Sequence, residues 1–201
     1  MYKIAAFFEF NEKIKKKVLL EKNKVKKKFG NQIYLDHPVH MTLFTINIPK
    51  ISELSKIYYE KKIVSNKPLS IHFHKPGIFY NDPLTNGHTL FYHVKKNKKL
   101  HEIQLRNLKK INKKIKVIKN DKNLLNVETL RKNYMKYGFP FAGKIWIPHT
   151  TIASINKNKK SESFLKKFIN TKINLKCFVN ELSFYKINKN DHKFLFKVKN
   201  F

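Results

Sequence analysis

Two short segments of this chain place a histidine and a hydroxyl side chain two residues apart: His40-Met41-Thr42-Leu43 and His149-Thr150-Thr151-Ile152. On a β-strand, residues i and i+2 point to the same side. His40 and Thr42 therefore share one strand face, and His149 and Thr151 share another. Brought to one cleft, they would supply two proton carriers and two neutral hydrogen-bond donors. In-line displacement at a phosphate ester uses that set. One imidazole takes the proton of the attacking oxygen, the other protonates the leaving oxygen, and the hydroxyls hold the non-bridging oxygens. A lone His-x-Thr would imply nothing of the kind, because a strand histidine is more often structural.

The elements that must position these segments follow from hydrophobic spacing. Met1 to Phe10 reads as a buried strand, and Glu12 to Phe29 as a helix closed by Gly30. Residues 40–48 alternate as a strand, and Ile51 to Ile63 follows Pro49 as a short amphipathic helix. Strands at about Leu69 to Tyr80 and His88 to Val94 flank a turn-rich run, and a second long helix spans Leu100 to Ile115. Glu128 to Tyr137 reads as a further helix ahead of the loop Gly138 to Gly143. The order then recurs: a motif strand, a charged segment at Lys157 to Asn170, a strand reaching Phe184-Tyr185 and a strand opening at His192. His40 and His149 are 109 residues apart, Phe79 and Phe184 are 105 apart, and His88 and His192 are 104 apart. The expected organisation is one domain over 1–201, with motif-bearing repeats at about 32–94 and 144–201 around a helical and polar excursion at about 95–143.

On these residues the chain resembles the 2H phosphoesterase superfamily, and within it the bacterial 2′,5′ RNA ligase and cyclic phosphodiesterase branch. Lys3 to Phe10 is similar to that family's first strand, and Glu181 to Ile187 with His192 to Val198 is similar to its closing hairpin. The resemblance implies an α+β, two-lobed pseudo-twofold fold with antiparallel sheets flanking a central cleft and helices outside. It implies no obligatory metal or other cofactor. The implied activity is a phosphodiesterase working on 2′,3′-cyclic or 2′,5′-linked RNA ends or nucleotides, with His40, His149, Thr42 and Thr151 as catalytic residues. Alternatives are a 2′,5′ RNA ligase running the reverse reaction and a non-catalytic, Lys-rich RNA-binding module. The chain departs from that branch in carrying Ala153-Ser154 where relatives often have a basic residue.

Composition agrees with an anionic partner. The net charge is +31, yet only Arg106 and Arg131 are arginines, so the residue that reads guanine edges bidentately is nearly absent and sequence-specific DNA recognition is not expected. Lysines on this scale attract RNA or nucleotides through phosphate contacts, the alternative being a solvated surface that reflects a Lys/Asn-rich coding bias. The chain is long enough to bury a substantial core. No apolar run has the ~20 residues of a membrane-spanning helix, and Cys177 is the sole cysteine, so a cytoplasmic monomer without disulfides is expected. For substrate stacking, strand parity points to Phe44, on the face of His40, and position points to Phe141 in the loop before the second motif. His72 and His74 share a face but lack a third ligand nearby, so no metal site is expected. His88 and His192 read as structural, His37 as a surface-loop residue and Trp146 as core.

Overall fold

The apolar run Ile4 to Phe8 is fully buried and forms the middle of strand β1 (Tyr2–Glu9). A strand apolar on both faces needs cover on both, and β1 is an interior strand. The structure, a computed structural model, describes residues 1–59, 68–119, 127–188 and 191–199. After β1 come α1 (Glu12–Phe29), β2 (His40–Ile48), α2 (Ile51–Tyr59), β3 (Leu69–Asp82) and β4 (Gly87–Val94). Then come α3 (Lys98–Lys114), α4 (Glu128–Tyr137), β5 (His149–Ile155), α5 (Lys159–Ile169), β6 (Leu175–Val179), β7 (Glu181–Asn188) and β8 (Asp191–Lys199). The continuation of α2 to Ile63 lies outside the described residues. Asparagine starts three of the helices. The side chain of Asn11 accepts from the Ile14 amide at 3.2 Å, Asn97 from Leu100 at 2.7 Å, and Asn158 from Ser161 at 2.8 Å, so each satisfies an amide the first helical turn leaves open. Among the described residues no helix is long and apolar enough to cross a membrane.

Two antiparallel four-stranded sheets result, in the orders β2-β1-β7-β8 and β5-β4-β3-β6. Matching them places β2 with β5, β1 with β4, β7 with β3 and β8 with β6. The strand orders thus match the two halves from β1 and β4 rather than from near residue 32, and β3 after α2 and β7 after β6 each join the other half's sheet. His88 on β4 and His192 on β8 consequently occupy unmatched strands, so their 104-residue spacing does not mark equivalent positions. Each motif strand lies at the edge of its sheet, and β2 and β5 pack against one another across the seam. The α3 part of the excursion is core: Leu100, Ile103, Leu108 and Ile111 are buried.

Both motif strands carry a bulge at the same point. Phe7 of β1 pairs with Thr42, but Ala6 pairs with Phe44, leaving Leu43 as the extra residue. Phe91 of β4 pairs with Thr151, but Leu90 pairs with Ala153, leaving Ile152 extra. A bulge takes a residue off the ladder and reverses the facing of the residues after it. Leu43 and Phe44 are therefore both at 0% exposure, as are Ile152 and Ala153. An off-ladder carbonyl in the interior must find another donor. Gln104 of α3, itself fully buried, donates Nε2 to the Leu43 carbonyl at 2.9 Å and accepts from the Gly143 amide at 2.8 Å. That one side chain ties the first bulge to the loop leading into β5. Replacing Gln104 by Leu should leave both groups unpaired, costing about 2–4 kcal/mol and lowering Tm by roughly 5–15 °C in a thermal melt.

Candidate active site

His40 and His149 are the first residues of β2 and β5. His40 Nδ1 lies 2.7 Å from the Pro38 carbonyl oxygen, and His149 Nδ1 lies 2.6 Å from that of Ile147. A carbonyl only accepts, so in each neutral ring Nδ1 carries the hydrogen and Nε2 presents a lone pair. The same local bond, to the carbonyl two residues back, thus fixes both rings in the same tautomer. Thr42 and Thr151, two residues on, are half-buried like the histidines, while Met41, Leu43, Thr150 and Ile152 between and after them are buried.

Rings form the floor beneath the imidazoles. Phe7 stacks on His40 with centroids 3.7 Å apart and planes at 22°. Phe91, in the matching position of the other half, lies 4.9 Å from His149, and Phe79 meets His149 edge-on at 5.2 Å while stacking on Phe91 at 4.2 Å. Gly77 makes room for this packing: a Cβ there would stand 2.5 Å from the Phe91 ring and 2.9 Å from His93. Tyr185, the counterpart of Phe79, is 5.2 Å from Phe7.

Such a floor desolvates both imidazoles and disfavours the imidazolium form. Burial pushes His40 down to about 3, against the Pro38 hydrogen bond, and the neighbouring His192, His37 and Lys22 push the same way. Burial also lowers His149, against the Ile147 hydrogen bond and the nearby charge of Asp82. His37 is lowered to about 4, chiefly by burial and then by His192.

The structure gathers His37 and His192 at the first motif. Their centroids are 4.4 Å apart, and His192 is 5.9 Å from His40. Neither is a remote surface or structural residue. A cavity of about 350 Å³ opens beside them, lined by Phe7, Glu9, Leu19, Leu35, His40 and Tyr185 among others. The Tyr185 hydroxyl donates to Glu9 Oε1 at 2.8 Å there. Phe44 is not at the cleft. The Leu43 bulge turns it to the core side, where it is fully buried and faces Phe184 at 6.4 Å, so it offers no stacking surface to a substrate. Phe141 packs partly buried against the core and edge-on to Phe139 at 5.9 Å. Its loop is pinned by Asn133 Nδ2 donating to the carbonyls of Pro140 and Ala142 at 3.1 and 2.8 Å. The cleft aromatics are instead Phe7, Phe79, Phe91 and Tyr185. Phe7 could not be found by parity, because the whole run around it is apolar. The repeat could have pointed to it once β1 was matched with β4, since Phe7 and Phe91 then coincide.

These environments fix a sign. Below the unfolded-chain value of ~6.5 the unfolded state binds protons that neutral His40 and His37 refuse, so stability falls with pH from ~6.5 down toward their folded values near 3 and 4. Tm should drop between pH 6.5 and 4, and the His40→Gln protein should lose less over that range. Identical slopes would show that His40 is solvated.

Comparison with curated protein sequences finds no match. Solved structures do match over nearly the whole chain. A crystal structure described as a phosphoesterase has a TM-score of 0.60 at 10% identity, covering 98% of this chain and 97% of that one. TT0787 of Thermus thermophilus gives 0.64 at 14% identity, with 98% and 97% covered. Apo LigT of E. coli gives 0.60 at 8% identity, with 98% and 96% covered. At such identities the likeness establishes the fold, an α+β fold shared with 2H phosphoesterase structures. The family model described as "AKAP7 2'5' RNA ligase-like domain" matches residues 4–199, and the chain belongs to that family, within the 2H phosphoesterase superfamily.

Proposed function

We propose that this chain is a phosphodiesterase acting on 2′,3′-cyclic phosphates or 2′,5′-linked RNA ends or nucleotides, with His40 and His149 as its acid–base pair. The observation that supports this most strongly is the matched orientation of the two imidazoles. Each has Nδ1 committed to a carbonyl and Nε2 free, on edge strands that face each other. One neutral ring takes a proton from water as its oxygen bonds to phosphorus. The other, as imidazolium, gives its proton to the ribose oxygen whose bond to phosphorus breaks. Thr42 and Thr151 donate to the non-bridging oxygens, where charge accumulates. The acid acquires its proton with the substrate, because a phosphate arriving in a desolvated site favours the charged imidazole. With a ribose 5′-hydroxyl in place of water as the attacking oxygen, the same two proton transfers would open a 2′,3′-cyclic phosphate at its 3′-oxygen and leave a 2′,5′ linkage. No metal is needed in this scheme, since the two histidines supply both proton transfers.

A nucleotide suits the cavity beside His40, whose walls combine Phe7 and Tyr185 with Lys15, a cation for phosphate, and the Glu9 carboxylate, an acceptor for sugar or base hydrogens. E. coli LigT, which shares the fold, has been crystallised with 3'-AMP, ATP, NADP+ and phosphate. These ligands support a nucleotide for this chain as well.

Replacing His40 or His149 by Ala should each lower turnover of a 2′,3′-cyclic nucleotide by about 10²–10⁴ with EDTA present. The double variant should lose less than the product of the two, because both act in one displacement. Full activity of His149→Ala would refute the assignment. The charge is tested separately. If lysines guide a strand to the cleft, raising salt from about 50 to 200 mM should weaken binding of a short single-stranded RNA far more than of a mononucleotide, at a slope of roughly 0.7 per phosphate neutralised. Equal, shallow slopes would favour small nucleotides over RNA ends.

A further inference from the structure

Lys22, on α1, is only 3% exposed, a rare position for an ammonium unless its charge is met. Its Nζ donates to the backbone carbonyls of Tyr34, Leu35 and His37 at 2.6, 3.0 and 2.6 Å. Three protons meet three carbonyls, which uses up the donors of the group. For those carbonyls to converge the chain must curl tightly, and Tyr34 does so in the left-handed region at φ 72°, a conformation that costs a non-glycine residue energy unless its surroundings hold it. The next residue along is Pro38, whose carbonyl accepts from His40 Nδ1 at 2.7 Å. Burial lowers the Lys22 ammonium to about 8, with Asp36 opposing, so it remains charged at neutral pH.

The second motif reaches the same end by other means. The Ile147 carbonyl that orients His149 comes just after a 3-10 turn over Gly143–Ile145, closed by the Trp146 amide on the Gly143 carbonyl at 3.0 Å. Backbone alone does there what an ammonium does at the first motif. Only the first arrangement brings a charge. Around His40 stand Lys22 and Lys15 from α1, Asp36 and His37 from the loop, Glu9 from β1, Tyr185 from β7 and His192 from β8. Of these, Glu9 is engaged by Tyr185. Lys22 is the cation of the set that lies inside the fold.

Resting on the His40–His149 reading above, we propose that Lys22 is a positioning residue for the reaction: by gathering the Tyr34, Leu35 and His37 carbonyls on one ammonium it sets the Pro38 carbonyl that orients His40. The test uses the full chain with ¹⁵N-labelled histidine. In the wild type the His40 ring nitrogens should give the shifts of a single Nδ1–H tautomer, and in Lys22→Met those of a tautomer mixture, since the Pro38 carbonyl is no longer held at Nδ1. On a 2′,3′-cyclic nucleotide, kcat should fall about tenfold with KM changed less than about threefold. Lys22→Arg keeps a cation but not three tetrahedral donors. It should show the mixture as well and still lower kcat. An unchanged single tautomer in folded Lys22→Met would overturn the proposal. So would wild-type kcat in Lys22→Arg, which decides the matter if Lys22→Met does not fold. The tautomer readout needs no substrate. A wild-type chain inactive on every cyclic and 2′,5′-linked nucleotide would therefore refute the reading of the cleft, and a tautomer mixture in Lys22→Met would still establish the coupling of Lys22 to His40.

Discussion

An extra residue in each motif strand, Leu43 in β2 and Ile152 in β5, governs how the cleft can exist beside a continuous core. An unbroken strand assigns alternate residues to one face along its whole length. Such a strand, carrying His40 and Thr42 toward the cleft, would also turn Phe44 there and bring Thr45 into the interior. The bulge ends the cleft-facing register after Thr42 and starts a core-facing one, so Phe44, Ile46 and Ile48 are buried. The price is a carbonyl without a ladder partner, and Gln104 meets it in the first half. Edge position matters equally. Each motif strand has a neighbour on one side only within its sheet, and its other side, bridged only at Asn47 by Ile118 and at Ser154 by Ile33 among the described residues, lies toward its counterpart near the motif.

The electrostatics work on two scales. A net charge of +31 acts through solvent, is screened within about 10 Å at ordinary salt, and bears on how anions arrive. At the imidazoles the governing factor is burial against aromatic rings, which keeps them neutral although the surface is crowded with lysine. For the phosphate substrate proposed above the two effects would join: the surface charge would favour its arrival, and its own negative charge would stabilise the imidazolium that burial disfavours.

Much of this was legible in the sequence, and the failures have definite causes. Hydrophobic period located most of the strands and helices though not β6, and the doubled His-x-Thr marked the first residues of β2 and β5, because both signals are local. Phe44 went astray because two-residue parity assumes an unbroken strand, and a bulge leaves no mark in the residue types around Leu43. His88 and His192 were matched because the chain order β3-β4 resembles β7-β8. Yet β4 lies inside its sheet and β8 at an edge, and strand order within a sheet is not written in the spacing. Phe7 meets His40 through the pairing of β1 with β2, and His192 reaches it only through the pairings of β1 with β7 and of β7 with β8, contacts that span nearly the whole chain. Lys22 was invisible among lysines of identical type, since what sets it apart is three carbonyls folded around it.

A pseudo-symmetric scaffold poses a chemical difficulty, because in-line displacement asks two identical side chains for opposite services. Matched strands, matched bulges and matched Nδ1 bonds would by themselves deliver two equivalent imidazoles. The halves differ in what stands behind those rings. His40 has the Lys22 ammonium and two further imidazoles near it, all of which oppose its protonation. His149 has Asp82, which favours it. The Asp82 carboxylate is held in the β3–β4 turn by the Thr89 hydroxyl at 2.6 Å and the Leu84 amide at 3.0 Å. The charged groups near the two rings thus differ in sign, while burial lowers both imidazoles. The repeat therefore accounts for the matched placement of the two imidazoles, while the charged groups around each ring come from residues that are not repeated.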